Sequence, residues 1–374
     1  MFSTETKPFD RLPRGGLWVW FAATVVLRLG LIVLTCLGAG LTLRQFALLH
    51  DGWEYMRLAL ALAHGGWGVS APAPEHLRLY PGLPMAMAAV SLGRWPEAAG
   101  LAISILSAAA AGVLTATLGG GDRRLAALMV GLTPSWLVFT STVMSEGLEM
   151  ALILWALLAI RHEKWLTAGL AAGLAYLVRP AGVFLILPLV VETAVRKAGR
   201  RGAAGVGLAL GFPLLHAAAS QALWGDALRA AREYAAKDFD WPLRTLVIQL
   251  ADPGRDGLRW ALVVSSIAVS LAGGWGLWRA WRSGSAGHRA LLLWHTAAGS
   301  FYLLLPSSWT FGCMDRFLLA VWPTTLIGLV PLIERLGRWF WPLAAAATAG
   351  SVWVGWLWLV HLARVFPFDA RALP

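Results

Sequence analysis

The sequence predicts an all-α fold, a polytopic transmembrane helical bundle of about eleven spans. Three observations lead there: an apolar composition, a series of helix-length apolar runs, and basic residues gathered in alternate loops. Of the 374 residues, 58% are hydrophobic and 14% charged, with mean hydropathy +0.64. A soluble domain carries roughly 25% charged residues, so most of this chain is suited to hydrocarbon rather than water.

Inside a bilayer every backbone N–H and C=O must be paired within the segment, which favours helices of about 20 apolar residues. Such runs fall near 17–40, 97–118, 125–144, 147–160, 165–178, 181–195, 203–223, 258–281, 290–306, 316–333 and 340–362. Three of these are short. Residues 81–93, PGLPMAMAAVSLG, are too short to cross comfortably and read as a dipping or interfacial segment.

The formal net charge of +11 raises the question of nucleic acid, and its distribution answers it. The N-terminus and the loops at 119–124, 161–164, 192–201, 279–289 and 334–338 hold 16 Lys/Arg against six Asp/Glu. The remaining loops and span boundaries hold 13 basic and 14 acidic groups, with Arg28 set apart inside the first span and Arg179 between two short spans. Short basic loops mark the cytoplasmic side. The expected protein is therefore multi-pass, with the N-terminus cytoplasmic and the C-terminus outside, in a bacterial inner membrane or its endoplasmic-reticulum equivalent. Its partners include membrane lipids and no nucleic acid. Trp18, Trp20, Trp165, Trp278, Trp339 and Trp358 lie near predicted helix ends, as interfacial tryptophans do.

MFSTETKPFDRLPRGG lacks the cleavage pattern of a signal peptide, so the first span is expected to remain as an anchor. The whole of 1–374 reads as a single integral membrane domain. Cys36 and Cys313 are too few for a disulfide framework or a cysteine metal site. Gly169 with Gly173, and Gly207 with Gly211, have the small-xxx-small spacing that lets helices approach closely. No inverted repeat of the transporter kind is evident.

Two outer loops, 41–80 and 224–257, are long enough to carry an active site. The first contains HDGWEYMRLALALAHGGWG, an amphipathic helix expected to lie along the membrane surface. Asp51 stands at its start, where it could cap the helix or act as a general base on a sugar hydroxyl. Tyr55, four residues on, shares its helical face, and Glu54 is a further carboxylate in the same turn. Glu146 and Glu149 are one turn apart at the start of a later span. Glu146 suits a helix N-terminus behind Ser145, whereas Glu149 lies deeper, where an acid is costly.

Asp51, Tyr55 and Tyr80-Pro81 resemble the first outer loop of the GT-C glycosyltransferases. Residues 133–192 are similar to the same superfamily in the order Pro, membrane segment, Ser-Glu, helix, basic turn, Gly/Ala-rich helix, Arg-Pro. Within it the nearest resemblance is to the second mannosyltransferase of GPI-anchor synthesis and its bacterial relatives, and CMDRFLLAVWP, 313–323, resembles their late segment. The resemblance implies a GT-C-like bundle that transfers a sugar by inverting displacement from a polyprenyl-phosphate donor to a lipid, glycan or protein acceptor. It implies Asp51 as the catalytic base, with Glu54, Tyr55, Arg78, Tyr80, Glu146, Arg179 and Arg316 contacting substrate. Arg179, Arg316 and Arg78 also have a plainer reading, as cations that snorkel to the interface.

No metal site and no cofactor are called for, with a divalent cation left open. Asp238-Phe239-Asp240 spells the Asp-x-Asp of nucleotide-sugar enzymes, but such donors are cytosolic and the triplet is expected outside. There is no HExxH pair, and GGGDRR lacks the phosphate-loop lysine. The competing functional class is a lipid or solute transporter or flippase, with Glu149 and Arg179 lining a path. A non-catalytic scaffold would not depend on Asp51.

Overall fold

The computed structural model describes residues 16–64, 80–131, 133–229, 232, 257–285, 287–304, 316 and 318–365. All regular elements among them are helical. The first span, α1 (Leu17–Ala39), closes where Gly40 enters the left-handed region at φ +68 and returns its N–H to the Cys36 carbonyl, as a glycine at a helix end does. Thr42 and Gln45 then form a reciprocal capping box that opens the short α2 (Leu43–Ala47). After one turn α3 (Gly52–Ala63) begins.

α4 (Gly82–Ser91) and α5 (Pro96–Leu118) follow, then α6 (Arg123–Gly131), α7 (Pro134–Ser141), α8 (Glu146–Arg161) and α9 (Trp165–Val178). A 3-10 turn, Pro180–Leu185, leads into α10 (Ile186–Val195) and α11 (Gly199–Trp224). The later elements are α12 (Gly257–Arg282), α13 (Gly287–Leu304), a 3-10 turn Leu318–Val321, α14 (Trp322–Gly328), α15 (Val330–Arg335), a 3-10 turn Gly337–Trp339 and α16 (Phe340–Val365).

By length and apolar character four helices among the described residues can cross a bilayer: α1, α5, α11 and the continuous Gly337–Val365. α7 and α8, bent by 103°, make a fifth if taken as one broken span. The expected count of about eleven is not reached on these criteria. Prolines and short breaks divide the apolar sequence into shorter pieces. The run 125–144 is two helices, with Thr133 and Pro134 opening the second. The run 316–333 is a 3-10 turn and two short helices, with Pro323 and Pro331 at their starts. The segment 81–93, expected to be too short to cross, forms the ten-residue α4.

α5, α8 and α9 form the buried centre, while apolar side chains such as Trp18, Leu37, Leu214 and Leu215 are exposed around it. Lipid is the solvent that makes such a surface inexpensive. Close packing between α9 and α11 runs through glycine: a Cβ on Gly169 would strike the Gly205 carbonyl, and one on Gly173 would strike Phe212. The expected contribution of Gly207 and Gly211 is not found, since both face open space. Gly205 supplies the close approach on α11 instead. Gly276 and Gly328 play the same part between α12 and α14.

Arg28, within α1, is fully buried and donates to Thr140 Oγ1 at 2.8 Å and to the Val130 carbonyl at 2.9 Å. It thereby ties α1 to the broken α6–α7 segment. The loops expected to share one side do meet at one end of the bundle. Gly16 abuts Arg123, Arg124 pairs with Glu334 at 3.4 Å, Arg161 donates to the Leu118 carbonyl, and Gly287 lies beside Arg161. Arg196 joins Glu163 and Glu192, and Arg289 grips both oxygens of Glu192 at 2.6 and 2.9 Å.

Candidate active site

At the opposite end of α8 and α9 the chain brings five charged side chains together. The first pair comes from the break before α8. Ser104 of α5 donates to the Met144 carbonyl at 3.1 Å, and Gly147 packs so closely on α5 that a Cβ there would press on the Ser104 carbonyl. Fixed in this way, the first turn of α8 holds Glu146 and Glu149 buried on one face.

The second contribution is made by a proline. Pro180 disfavours the helical conformation in the residue before it, and Arg179 accordingly ends α9 in extended backbone at φ −154, ψ 145. Its Nη1 lies 2.7 Å from Glu146 Oε1 and its Nε 3.4 Å from Glu149 Oε2. Arg316 reaches the same carboxylate, with Nε 2.5 Å from Glu146 Oε1, while its Nη2 donates to Asp51 Oδ2 at 3.1 Å. The Arg316 guanidinium also lies over the Phe139 ring, 4.7 Å from its centroid.

Asp51 precedes α3 but makes no side-chain cap to it. The capping role considered for it is absent, and its carboxylate is given to Arg316. Ser145 likewise makes no side-chain cap to α8; it accepts a hydrogen bond from Tyr55 O–H at 3.1 Å. Tyr302 of α13 lies within electrostatic reach of Arg179. The three acids differ in access: the Asp51 side chain is 31% exposed, against 2% for Glu146 and 3% for Glu149.

Three carboxylates thus share two guanidiniums. Such a cluster is held by mutual compensation, because removing one member of a buried ion pair strands the other charge at a cost of about 3–5 kcal/mol. Glu146 Oε2 and Glu149 Oε1 are buried without a hydrogen-bond partner. Among the described residues no group of three or more His, Cys, Asp or Glu side chains is placed to hold a metal ion.

Of the residues singled out from sequence, Asp51, Tyr55, Glu146, Arg179 and Arg316 meet here, and Glu54 is buried on α3. Tyr80 enters a separate aromatic cluster: its ring is 5.4 Å from that of Tyr176, whose hydroxyl lies 3.1 Å from His216 Nδ1. Arg78, Cys313, Asp315, Phe317, Asp238 and Asp240 lie outside the described residues, as does most of loop 224–257. Glu149, singled out from sequence as a deep acid beside Glu146, is here too, while Ser145, Phe139, Tyr302 and His50 are site neighbours that the sequence motifs did not select. Glu149 and Ser145 were legible from their place around Glu146, whereas no local signal marks Phe139 or Tyr302.

The fold and site define an integral membrane protein with an acid and guanidinium cluster at one end of its helices. The model of glycosyltransferase family 87 matches residues 79–308, more than half of the chain, and the chain belongs to that family. Membership implies glycosyltransferase activity at a membrane. It agrees with the GT-C resemblance, lends no support to the GPI-mannosyltransferase branch in particular, and leaves the transporter reading without support. No curated protein matches the chain. Tyr80, Glu146, Glu149 and Arg179 fall within the matched segment; Asp51 and Arg316 lie outside it.

Proposed function

We propose that the chain transfers a hexose, mannose first among the candidates, from a polyprenyl-phosphate donor to a lipid, glycan or protein acceptor at the outer membrane face. The observation that carries this reading is the exposure of Asp51 within a cluster whose other carboxylates are buried. Among the described acids of the cluster, this one alone is open to an incoming hydroxyl.

In the proposed step Asp51 takes the proton of the acceptor hydroxyl, and the freed oxygen attacks the anomeric carbon from the face opposite the phosphate. The bond from that carbon to the phosphate oxygen breaks, its electron pair leaves with polyprenyl phosphate, and configuration inverts. A positioned base supplies typically 10²- to 10⁴-fold in rate. Arg316 and Arg179 stabilise the charge that develops on the departing phosphate.

Both guanidiniums already have carboxylate partners, which sets the order of events. An incoming phosphate competes with Asp51 for Arg316, and Asp51 is the most weakly enclosed partner in the cluster. Donor binding therefore releases the base as it neutralises the cation. Glu146 stays between the two arginines and fixes their spacing.

The test is a transfer assay on purified protein in detergent, using a panel of radiolabelled polyprenyl-phosphate hexoses and nucleotide sugars. Transfer from a polyprenyl-phosphate sugar, lost in Asp51→Asn, is expected. Transfer from nucleotide sugars alone would overturn the donor and the site's placement together.

A further inference from the structure

His50, beside Asp51, has features that a core histidine does not need. Its backbone sits at φ +56, a left-handed conformation uncommon for a residue with a side chain. Its ring lies 5.2 Å from that of Phe139 and 6.5 Å from that of Trp358. Its Nε2 is buried and has no hydrogen-bond partner. Leaving a buried polar atom unpaired is costly, and so is the backbone strain. Among the described residues the two features coincide at His50, the residue next to the exposed acid.

We propose that His50 contacts the acceptor in this site, its Nε2 reserved for a hydroxyl of the acceptor next to the one that Asp51 deprotonates. This rests on the transferase reading above. Two guanidiniums are at hand for a phosphate, and a third phosphate ligand would be redundant. A hydroxyl is matched by a neutral imidazole, which can donate or accept according to its tautomer. Arg316 packs on the same Phe139 ring as His50, so a guanidinium drawn toward an incoming phosphate uncovers His50 and Asp51 together. Acceptor recognition is thereby linked to donor binding.

The experiment compares His50→Phe, His50→Gly and His50→Gln in the full-length protein, with kinetics measured separately against acceptor and against polyprenyl-phosphate hexose. Phe keeps the packing against Phe139 and Trp358 and removes the nitrogen, while Gly relieves the left-handed backbone and removes the ring. Both should lower kcat/KM for the acceptor by roughly tenfold or more, with donor KM within about twofold of wild type. Gln, which restores a polar group at similar reach, should recover part of the loss. Wild-type acceptor kinetics in either Phe or Gly, an equal loss for both substrates, or no recovery in Gln would overturn the proposal. If wild type transfers no polyprenyl-linked sugar, the parent reading fails. If Asp51→Asn is inactive while His50→Phe is not, only the role of His50 fails.

Discussion

Arg316 and Asp51 are 265 residues apart in the chain and 3.1 Å apart in space, and the same guanidinium is held 2.5 Å from Glu146. One cation therefore joins the most accessible acid of the site to one of the least accessible. Through Glu146 the link continues to Arg179 and Glu149, so α3, α8 and the end of α9 share one electrostatic unit with Arg316.

Because Asp51 makes no helix cap, its charge can be removed without unfolding α3. Asp51→Asn should keep expression and the melting temperature in detergent close to wild type, since Arg316 retains Glu146. Turnover should fall by about 10²- to 10⁴-fold. Full activity in this variant, measured beside wild type with the same donor, would remove Asp51 from the mechanism.

The arginines should behave differently. Arg179→Gln leaves both Glu146 and Glu149 short of a partner in a buried place, and a loss of about 3–5 kcal/mol is expected. Arg179→Gln combined with Glu149→Gln should regain part of the stability without regaining transfer. Thermal unfolding in detergent reads the first effect and the donor assay the second. An Arg179→Gln variant as stable as wild type would mean that its ion pairs are replaced by water or lipid headgroups.

Much of the site was legible because its chemistry sits at positions with local signals: Asp51 after the first span, Glu146 after Ser145, Arg179 before Pro180. The positions marked these residues as candidates, but not what they touch. Capping was one of two readings for Asp51, and Ser145 stands just before a helix, yet both pair with side chains from other segments. Contacts over such separations have no local pattern to betray them. The left-handed backbone at His50 is only faintly legible: histidine tolerates that region better than most side chains, but nothing local says where it will be adopted. The expected count of about eleven spans is not reached by helix length and hydropathy among the described residues for a related reason. Hydropathy sums over a window and passes across the breaks near Pro134, Pro323 and Pro331, where the helices end.

Gly169 and Gly207 have similar sequence surroundings and opposite surroundings in space. Gly169→Leu places a side chain against the Gly205 backbone and should destabilise by about 1–3 kcal/mol, the usual cost of overpacking. Gly207→Leu meets open space and should be tolerated. Equal melting temperatures for the two variants would contradict the α9–α11 packing.

His50 also makes an acid-sensitivity prediction. Burial, with the nearby Arg316 charge, pulls its pKa down from 6.5 to about 4, against the opposing influence of Asp51 and Glu146. A depressed histidine favours the folded state above its unfolded pKa, and that contribution fades as pH falls from about 6.5 toward 4. Its size is at most roughly 3 kcal/mol. Wild type should therefore lose more melting temperature between pH 7 and pH 5 than His50→Phe does. Comparison with the variant cancels the titration of groups common to both. Parallel curves would place His50 in a wetter setting.

Orientation is the prediction on which donor chemistry turns. The basic loops gather at one end of the bundle, while Asp51, Glu146, Arg179 and Arg316 gather at the other. If the basic end is cytoplasmic, the site faces outward, where nucleotide sugars are absent and a lipid-linked donor is required. Exposed positions report on both ends: Arg44 on α2, which follows the end of α1 away from Gly16, and Lys197 at the basic end. With Cys36 and Cys313 replaced by Ser, a membrane-impermeant thiol reagent applied to intact cells should label Arg44→Cys and spare Lys197→Cys. Permeabilised cells should label both. Labelling of Lys197→Cys alone from outside would turn the molecule over, place Asp51 in the cytoplasm, and make a nucleotide sugar the donor to test first.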